Sequence, residues 1–405
     1  MSSASGAAEV GPIGVSPDGR YFIDQSGGPF FWLGDTQWEL FRAFPLADVR
    51  AILEDRQRKG FSVIQAMLTG VGDGSKPNVA GHAPWMDDDP GTPNERYFEQ
   101  VDAVVELSRQ TGVILVTGVF HQLQASRITA GNARTYATWL GRRYQGAPNL
   151  VWSMYPRAEE EFVPVTRELA AGLEEGDGGS HLITVHPDPS PASSSFVDGE
   201  PWLRFNSIQT WAHTDLIVPM VGHDCHLEPV KPVVMAEGAY EGGLEYGFEV
   251  TPLWIRRQAY WTYLAGGHHS YGHNDSWRLP PTWRDALDAP GAAQLSVLKE
   301  VLLARNEWWD LVPDQSVIAG CDGGDPKLNV AARSRAGDWG LVYMGGSATV
   351  SVRMDRIGTG NTVDTSWIAP ASGEAMPAGS HAPTGIRRFE TPGGWEDALL
   401  LLEAR

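Results

Sequence analysis

Glu237 closes the apolar run Val233-Val234-Met235-Ala236 and is followed at once by Gly238, Ala239, Tyr240 and Glu241. The run lies between Pro232 and Gly238 and reads as a buried strand. An unpaired carboxylate costs too much to bury as core filling. A Glu just past such a strand is therefore either held in a salt bridge or placed for chemistry. In a parallel α/β barrel that position is the catalytic rim. The chain also carries 16 Trp and 11 Tyr, residues that stack on sugar rings. Together these features suggest the nucleophile of a glycosidic cleavage, which needs two carboxyls across the scissile bond.

The other expected strand ends are also rich in polar and aromatic groups. The first offers Asp35 and Trp38, the second Gln65, the third His121 and the fourth Tyr155, with Glu159, Glu160 and Glu161 beyond it. The fifth offers His186 and Asp188, the sixth Gln209, Trp211 and His213, the seventh Glu237, Tyr240 and Glu241, and the eighth Tyr271 and His273. Such groups hydrogen-bond hydroxyls or pack on sugar faces. Each has a plainer alternative. Asp35 before Thr36 could cap a helix, Trp38 could be helix packing, and acids opening a helix after residue 158 are favoured by the helix dipole alone. The histidines lack the i, i+4 spacing and third ligand of a zinc site, so neither a metal nor a cofactor is expected.

These side chains need a frame that holds eight strand ends in one ring. Apolar runs fall near 31–34, 61–67, 113–120, 150–154, 182–186, 205–211, 232–236 and 268–271. Amphipathic stretches lie between them at 46–59, 98–110, 132–144, 159–173 and 252–264, with Gly60, Gly112 and Gly266 just past helix ends. The connection 212–231 is poorly helical, so a degenerate helix or long loop is expected there. Strands alternating with helices imply right-handed βαβ units, and eight of them imply a (β/α)8 TIM barrel. An antiparallel hairpin with turns at Asp18-Gly19 and Gly27-Gly28 precedes it. After a helix at 292–309 the pattern changes to short alternating runs at 328–332, 339–343, 348–352, 362–367 and 398–402. That is a small antiparallel β-sandwich. The expected domains are a disordered tail at 1–11, a barrel at 12–315 and a sandwich at 316–405.

Net charge is −19, from 31 Lys+Arg against 50 Asp+Glu, which argues against nucleic acid or an anionic membrane as partner. No apolar stretch is long enough to span a bilayer, and MSSASGAAEVG has no signal-peptide features. Cys225 and Cys321 lie far apart and fit no disulfide or metal motif. A cytoplasmic protein is the expectation.

Several segments resemble the apiosidase-like family, glycoside hydrolase family 140. They are GPFFWLGDTQWELF at 28–41, EDRQRKGFSVIQ at 54–65, YFEQVDAVVELSRQTG at 97–112 and NARTYATWLGRRYQGAPNLVW at 132–152. LITVHP at 182–187, KPVVMAEGAYEG at 231–242 and RRQAYWTYLAGGHHSYGHNDSW at 256–277 complete the pattern. The resemblance implies a barrel followed by a small β-sandwich, with Glu237 at the nucleophile position and Glu241 at a nearby binding position. It also implies an Asp as general acid/base after strand four, where this chain has Arg157. Glu159 is the nearest replacement, followed by Glu160.

The expectation is a retaining glycoside hydrolase acting on a small glycoside or oligosaccharide, with Glu237 as nucleophile and Glu159 as acid/base. Asp35, Trp38, Gln65, His121, Tyr155, His186, Gln209, Trp211, Tyr240, Glu241, Tyr271 and His273 would bind substrate. The alternatives are a sugar-binding protein on a degenerate barrel and a transglycosidase or lyase.

Overall fold

The computed structural model describes residues 10–155, 160–325, 327, 329–358 and 360–405. The positions 1–9 of the expected tail, and Glu159, lie outside the described residues. The chain opens with a three-stranded antiparallel sheet, β1 (Gly14–Val15), β2 (Phe22–Ile23) and β3 (Pro29–Phe30). Eight strands follow: β4 (Leu33–Thr36), β5 (Val63–Met67), β6 (Ile114–His121), β7 (Leu150–Tyr155), β8 (Ile183–Val185), β9 (Asn206–Trp211), β10 (Val233–Gly238) and β11 (His268–Tyr271). Their pairings are parallel, in the order β8-β7-β6-β5-β4-β11-β10-β9.

The ring closes between β8 and β9. An isolated parallel bridge joins Ile183 to Leu203. Thr184 Oγ1 then donates to the Phe205 carbonyl at 2.9 Å and meets Ser207 Oγ at 3.1 Å. Side-chain hydroxyls thus take over part of the ladder that the three-residue β8 cannot supply.

Helices α1 (Leu46–Arg58), α2 (Glu95–Thr111), α3 (Ala133–Tyr144), α4 (Val163–Asp177), α5 (Ser194–Val197), α6 (Ile217–Asp224), α7 (Pro252–Leu264) and α8 (Pro290–Leu303) surround the strands. Phe22, Trp32, Val63, Val116, Val151 and Val234 fill the base of the barrel interior. The intervening strand residues, such as Ile64, Leu115, Trp152 and Met235, pack outward on the helices. Helices α3 and α4 approach closely: a Cβ on Gly141 would lie 2.6 Å from the Leu173 carbonyl, and one on Gly172 2.5 Å from that of Arg134.

Some boundaries differ from the sequence reading. The fourth helix starts at Val163, after a 3-10 turn at Glu160–Phe162. The last barrel helix stops at Leu303, and Glu307 takes a left-handed φ of 49° before a short turn at Trp308–Asp310. The connection at 212–231 carries the short helix α6, one of the two forms expected there.

Beyond the barrel, β12 (Leu311–Pro313), β13 (Ile318–Asp322), β14 (Asn329–Ser334), β15 (Trp339–Met344), β16 (Thr349–Arg353), β17 (Val363–Ile368), β18 (Ala375–His381), β19 (Ile386–Glu390) and β20 (Ala398–Ala404) form two antiparallel sheets. Their orders are β12-β14-β15-β20-β17-β18 and β13-β16-β19. Strands β15 and β20 read as continuous apolar runs because the larger sheet is covered on both faces. Val342, Met344, Leu400 and Leu402 face the smaller sheet, whereas Leu341, Tyr343, Leu399 and Leu401 join the core of α7 and α8. A buried clamp crosses this junction. Arg256 of α7 holds Asp397 through Nη2 at 2.7 Å and Nε at 2.9 Å, Tyr343 donates to the same Asp at 2.8 Å, and Tyr260 stacks on Tyr343 at 4.5 Å.

Candidate active site

Glu237 reaches the interior by a defect in its strand. Met235 points outward into the helix-side core, and strict alternation would send Glu237 the same way. The pairing instead runs Met235 with Ile208 and then Glu237 with Gln209, leaving Ala236 as an extra residue. This β-bulge shifts the side-chain register by one and aims the carboxylate inward. Glu237 therefore lies inside β10, where the sequence placed it just past the strand. Gln65 secures the bulge from the far side of the barrel: its amide donates to the Ala236 carbonyl at 2.7 Å and to Thr36 Oγ1 at 2.6 Å.

Around Glu237 stands an aromatic cup. Trp211 Nε1 donates to Glu237 Oε1 at 2.9 Å. Trp211 is 41% exposed and holds a left-handed φ of 47°, a conformation costly for a Trp. Trp38 stacks on Tyr155 with ring centroids 5.9 Å apart and an interplanar angle of 10°, and its Nε1 donates to the Tyr240 hydroxyl at 2.8 Å. His186 lies edge-on to both, 4.4 Å from Tyr155 and 5.4 Å from Trp38, and His121 meets Tyr155 at 5.0 Å.

The hydrogen bonds fix what each group presents. His186 Nδ1 lies 3.0 Å from the Pro187 carbonyl. A carbonyl can only accept, so Nδ1 carries the proton and Nε2 is a lone pair. That lone pair stands 3.6 Å from Glu237 Oε2. Burial lowers the His186 pKa to about 4, so the contact is not a salt bridge at neutral pH. His121 Nδ1 accepts from the Leu123 amide at 3.1 Å, which leaves its proton on Nε2, and burial lowers its pKa to about 4 as well. Gln209 accepts from the Tyr155 hydroxyl at 3.2 Å through Oε1, and its Nε2 has no hydrogen bond from the described residues. The cup thus sets donors and acceptors side by side, as recognition of sugar hydroxyls requires.

Burial raises the Glu237 carboxyl to about 7. The Trp211 N–H and the Tyr240 hydroxyl act against that, and the charge of Asp188 adds to it.

The residues expected to bind substrate divide into two sets. Trp38, His121, Tyr155, His186, Gln209, Trp211 and Tyr240 gather around Glu237. Asp35, Gln65, Glu241 and Tyr271 do not: each is buried and bound to other protein groups. Asp35 has no exposed surface and pairs with Arg56 of α1 at 2.9 Å and with Gln37 at 2.8 Å. Glu241 takes the Tyr271 hydroxyl at 2.6 Å and the Gly291 amide at 2.9 Å, at the start of α8. These groups join the rim to the helix layer, and Gln65 supports the bulge. His273 is on the rim beside Gly242, its Nδ1 accepting from the Asp275 amide at 3.1 Å. Tyr246 was missed from sequence. Its hydroxyl accepts from the Tyr240 amide at 3.2 Å, and only the tertiary fold of the loop after β10 brings it there. No group of three or more His, Cys, Asp or Glu suited to a metal occurs among the described residues.

An eight-stranded parallel barrel with a carboxylate in an aromatic cup at its carboxyl-end rim defines the class, a TIM-barrel hydrolase of glycosides. The family model "Apiosidase-like, catalytic domain" matches residues 16–310, and the chain belongs to that family. A second model, "Putative collagen-binding domain of a collagenase", matches residues 312–403. Among solved structures, one described as a glycoside hydrolase is 27% identical over 97% of each chain, with a TM-score of 0.87. Another, a glycoside hydrolase family 5 protein from Bacteroides vulgatus, is 25% identical over 97% of this chain and 94% of that one, with a TM-score of 0.89. No curated protein matches the sequence. The chain is a glycoside hydrolase.

Proposed function

We propose that the protein removes a terminal sugar, a furanoside or a related pyranoside, from a small glycoside or oligosaccharide by retaining double displacement. The observation that carries this reading is the bulge at Ala236, which turns Glu237 into the cup of Trp38, Tyr155, His186 and Trp211. Glu237 Oε2 attacks the anomeric carbon, while the Trp211 N–H holds Oε1 and orients the carboxylate. The sugar's hydroxyls meet the His186 Nε2 lone pair, His121 Nε2–H and Gln209 Nε2–H, and its ring packs on the stacked Trp38 and Tyr155.

Glu159, the proton donor inferred from sequence, comes after β7 in the chain and lies outside the described residues. Glu160 and Asp188 are the rivals among the described carboxylates, Asp188 because its charge is felt at Glu237 and at Tyr155. Asp35 and Glu241 are held by Arg56, Tyr271 and the start of α8, which does not support a donor role for either. Hydrolysis of aryl furanosides and pyranosides, with the anomeric configuration of the first product followed by NMR, tests the reading. A first product of inverted configuration, or no turnover across both series, would refute it.

A further inference from the structure

We propose a second ligand site, for a small aromatic carboxylate, at the amino-terminal end of the barrel. A cavity of about 390 Å³ lies there, at the junction with the β-sandwich. That volume falls within the range that holds small organic ligands. Its walls come from the opening hairpin, the segments leading into β10 and β11, the turn after α8, and β12. The catalytic cup is at the opposite ends of the same strands, so the two sites are separate.

The lining selects for chemistry. Tyr21, Tyr263, Trp308 and Trp309 supply aromatic walls, with Leu302 and Leu311 between them. Among the described residues no Asp or Glu lines the cavity, in a chain of net charge −19, whereas Arg20, Lys231 and Arg335 all do. Their own partners, Asp18 and Asp310 for Arg20, Asp198 for Lys231 and Asp310 for Arg335, are not among the lining residues. Asp310 serves two of the three cations.

His268, 6% exposed, also lines the cavity, where the backbone of Arg20 accepts from its ring. A flat aromatic body matches the Trp and Tyr walls, and a carboxylate supplies acceptors for the cations.

Calorimetric titration of the full chain with naphthoate, and with naphthamide as its neutral counterpart, tests the proposal. Naphthoate is expected to bind at one site, and naphthamide about tenfold or more weaker, roughly 1.4 kcal/mol. Trp308→Leu should weaken naphthoate. Because Trp308 also packs on Phe31, the exposed Arg335→Gln serves as the second variant: it should weaken naphthoate while leaving naphthamide unchanged. Trp38→Leu, in the catalytic cup, should leave naphthoate binding as it was. The proposal is overturned if naphthoate shows no saturable binding, if naphthamide binds equally well, or if Trp38→Leu abolishes binding while Arg335→Gln does not.

Discussion

Replacing Glu237 with Gln should do two opposite things: remove turnover and stabilise the fold at alkaline pH. The Glu237 carboxyl titrates at about 7 instead of 4.5, chiefly because it is buried. At about 1.4 kcal/mol per decade in acidity, that displacement corresponds to about 3 kcal/mol against the anion in the folded state. The folded chain keeps this proton to a higher pH than the unfolded chain does. Stability from this group is therefore lost as pH rises from about 4.5 to about 7, and the penalty is complete above that. Gln has the same shape, keeps an oxygen for Trp211 Nε1 and never ionises. Denaturant unfolding of both proteins at pH 4.5 and pH 8 should show the variant gaining about 3 kcal/mol on the wild type between the two conditions. In parallel, kcat/KM of the wild type should rise with pH through about 7, as an attacking carboxylate requires, and the variant should lose about 10⁴-fold or more. Equal pH dependence of stability in the two proteins would refute the argument from burial. Activity that falls as pH passes 7 would assign Glu237 the proton-donor role instead. A variant within about tenfold of wild type would remove it from the chemistry.

Glu159→Ala should slow poor leaving groups far more than activated aryl glycosides, and azide should rescue the activated substrate by attacking the glycosyl-enzyme. Comparison with Glu160→Ala and Asp188→Asn locates the donor, since only its own variant gives this pattern. EDTA should leave the rate unchanged, and a loss restored by Zn²⁺, Ca²⁺ or Mn²⁺ would show that a metal takes part. Arg256→Ala leaves Asp397 buried and uncompensated, both side chains being 1% exposed in the intact pair. It should cost about 3–5 kcal/mol in unfolding, and Arg256→Met combined with Asp397→Leu should recover most of it. A single-variant cost within about 0.5 kcal/mol would show that the clamp does not join the domains.

The barrel could be read from sequence because period and punctuation are local properties. Apolar runs near 61–67 and 113–120, separated by the amphipathic stretch at 98–110, announce a strand–helix–strand unit without reference to anything distant. Gly112 at φ +76° ends α2 where the sequence expected a left-handed cap. The exposed β18 and β19 give no such local signal: AMPAGSH carries Pro377 and Gly379 and has no apolar alternation. Glu237 stood out because a carboxylate closing a buried strand is expensive wherever it occurs.

Which polar residues surround it was decided by the tertiary structure. Asp35, Glu241 and Tyr271 look from sequence like rim groups equal to His186 and Gln209, yet they turn outward to Arg56 and the start of α8. Strand alternation sets the direction of a side chain only relative to its neighbours, and a single bulge reverses it. The bulge at Ala236 is invisible in the run Val233–Gly238, because it exists only in the pairing with β9 and in the amide that Gln65 sends across the barrel. Residue types thus fixed what chemistry was available. Long-range pairing chose which of those residues face one another, because that register depends on a partner strand distant in the chain.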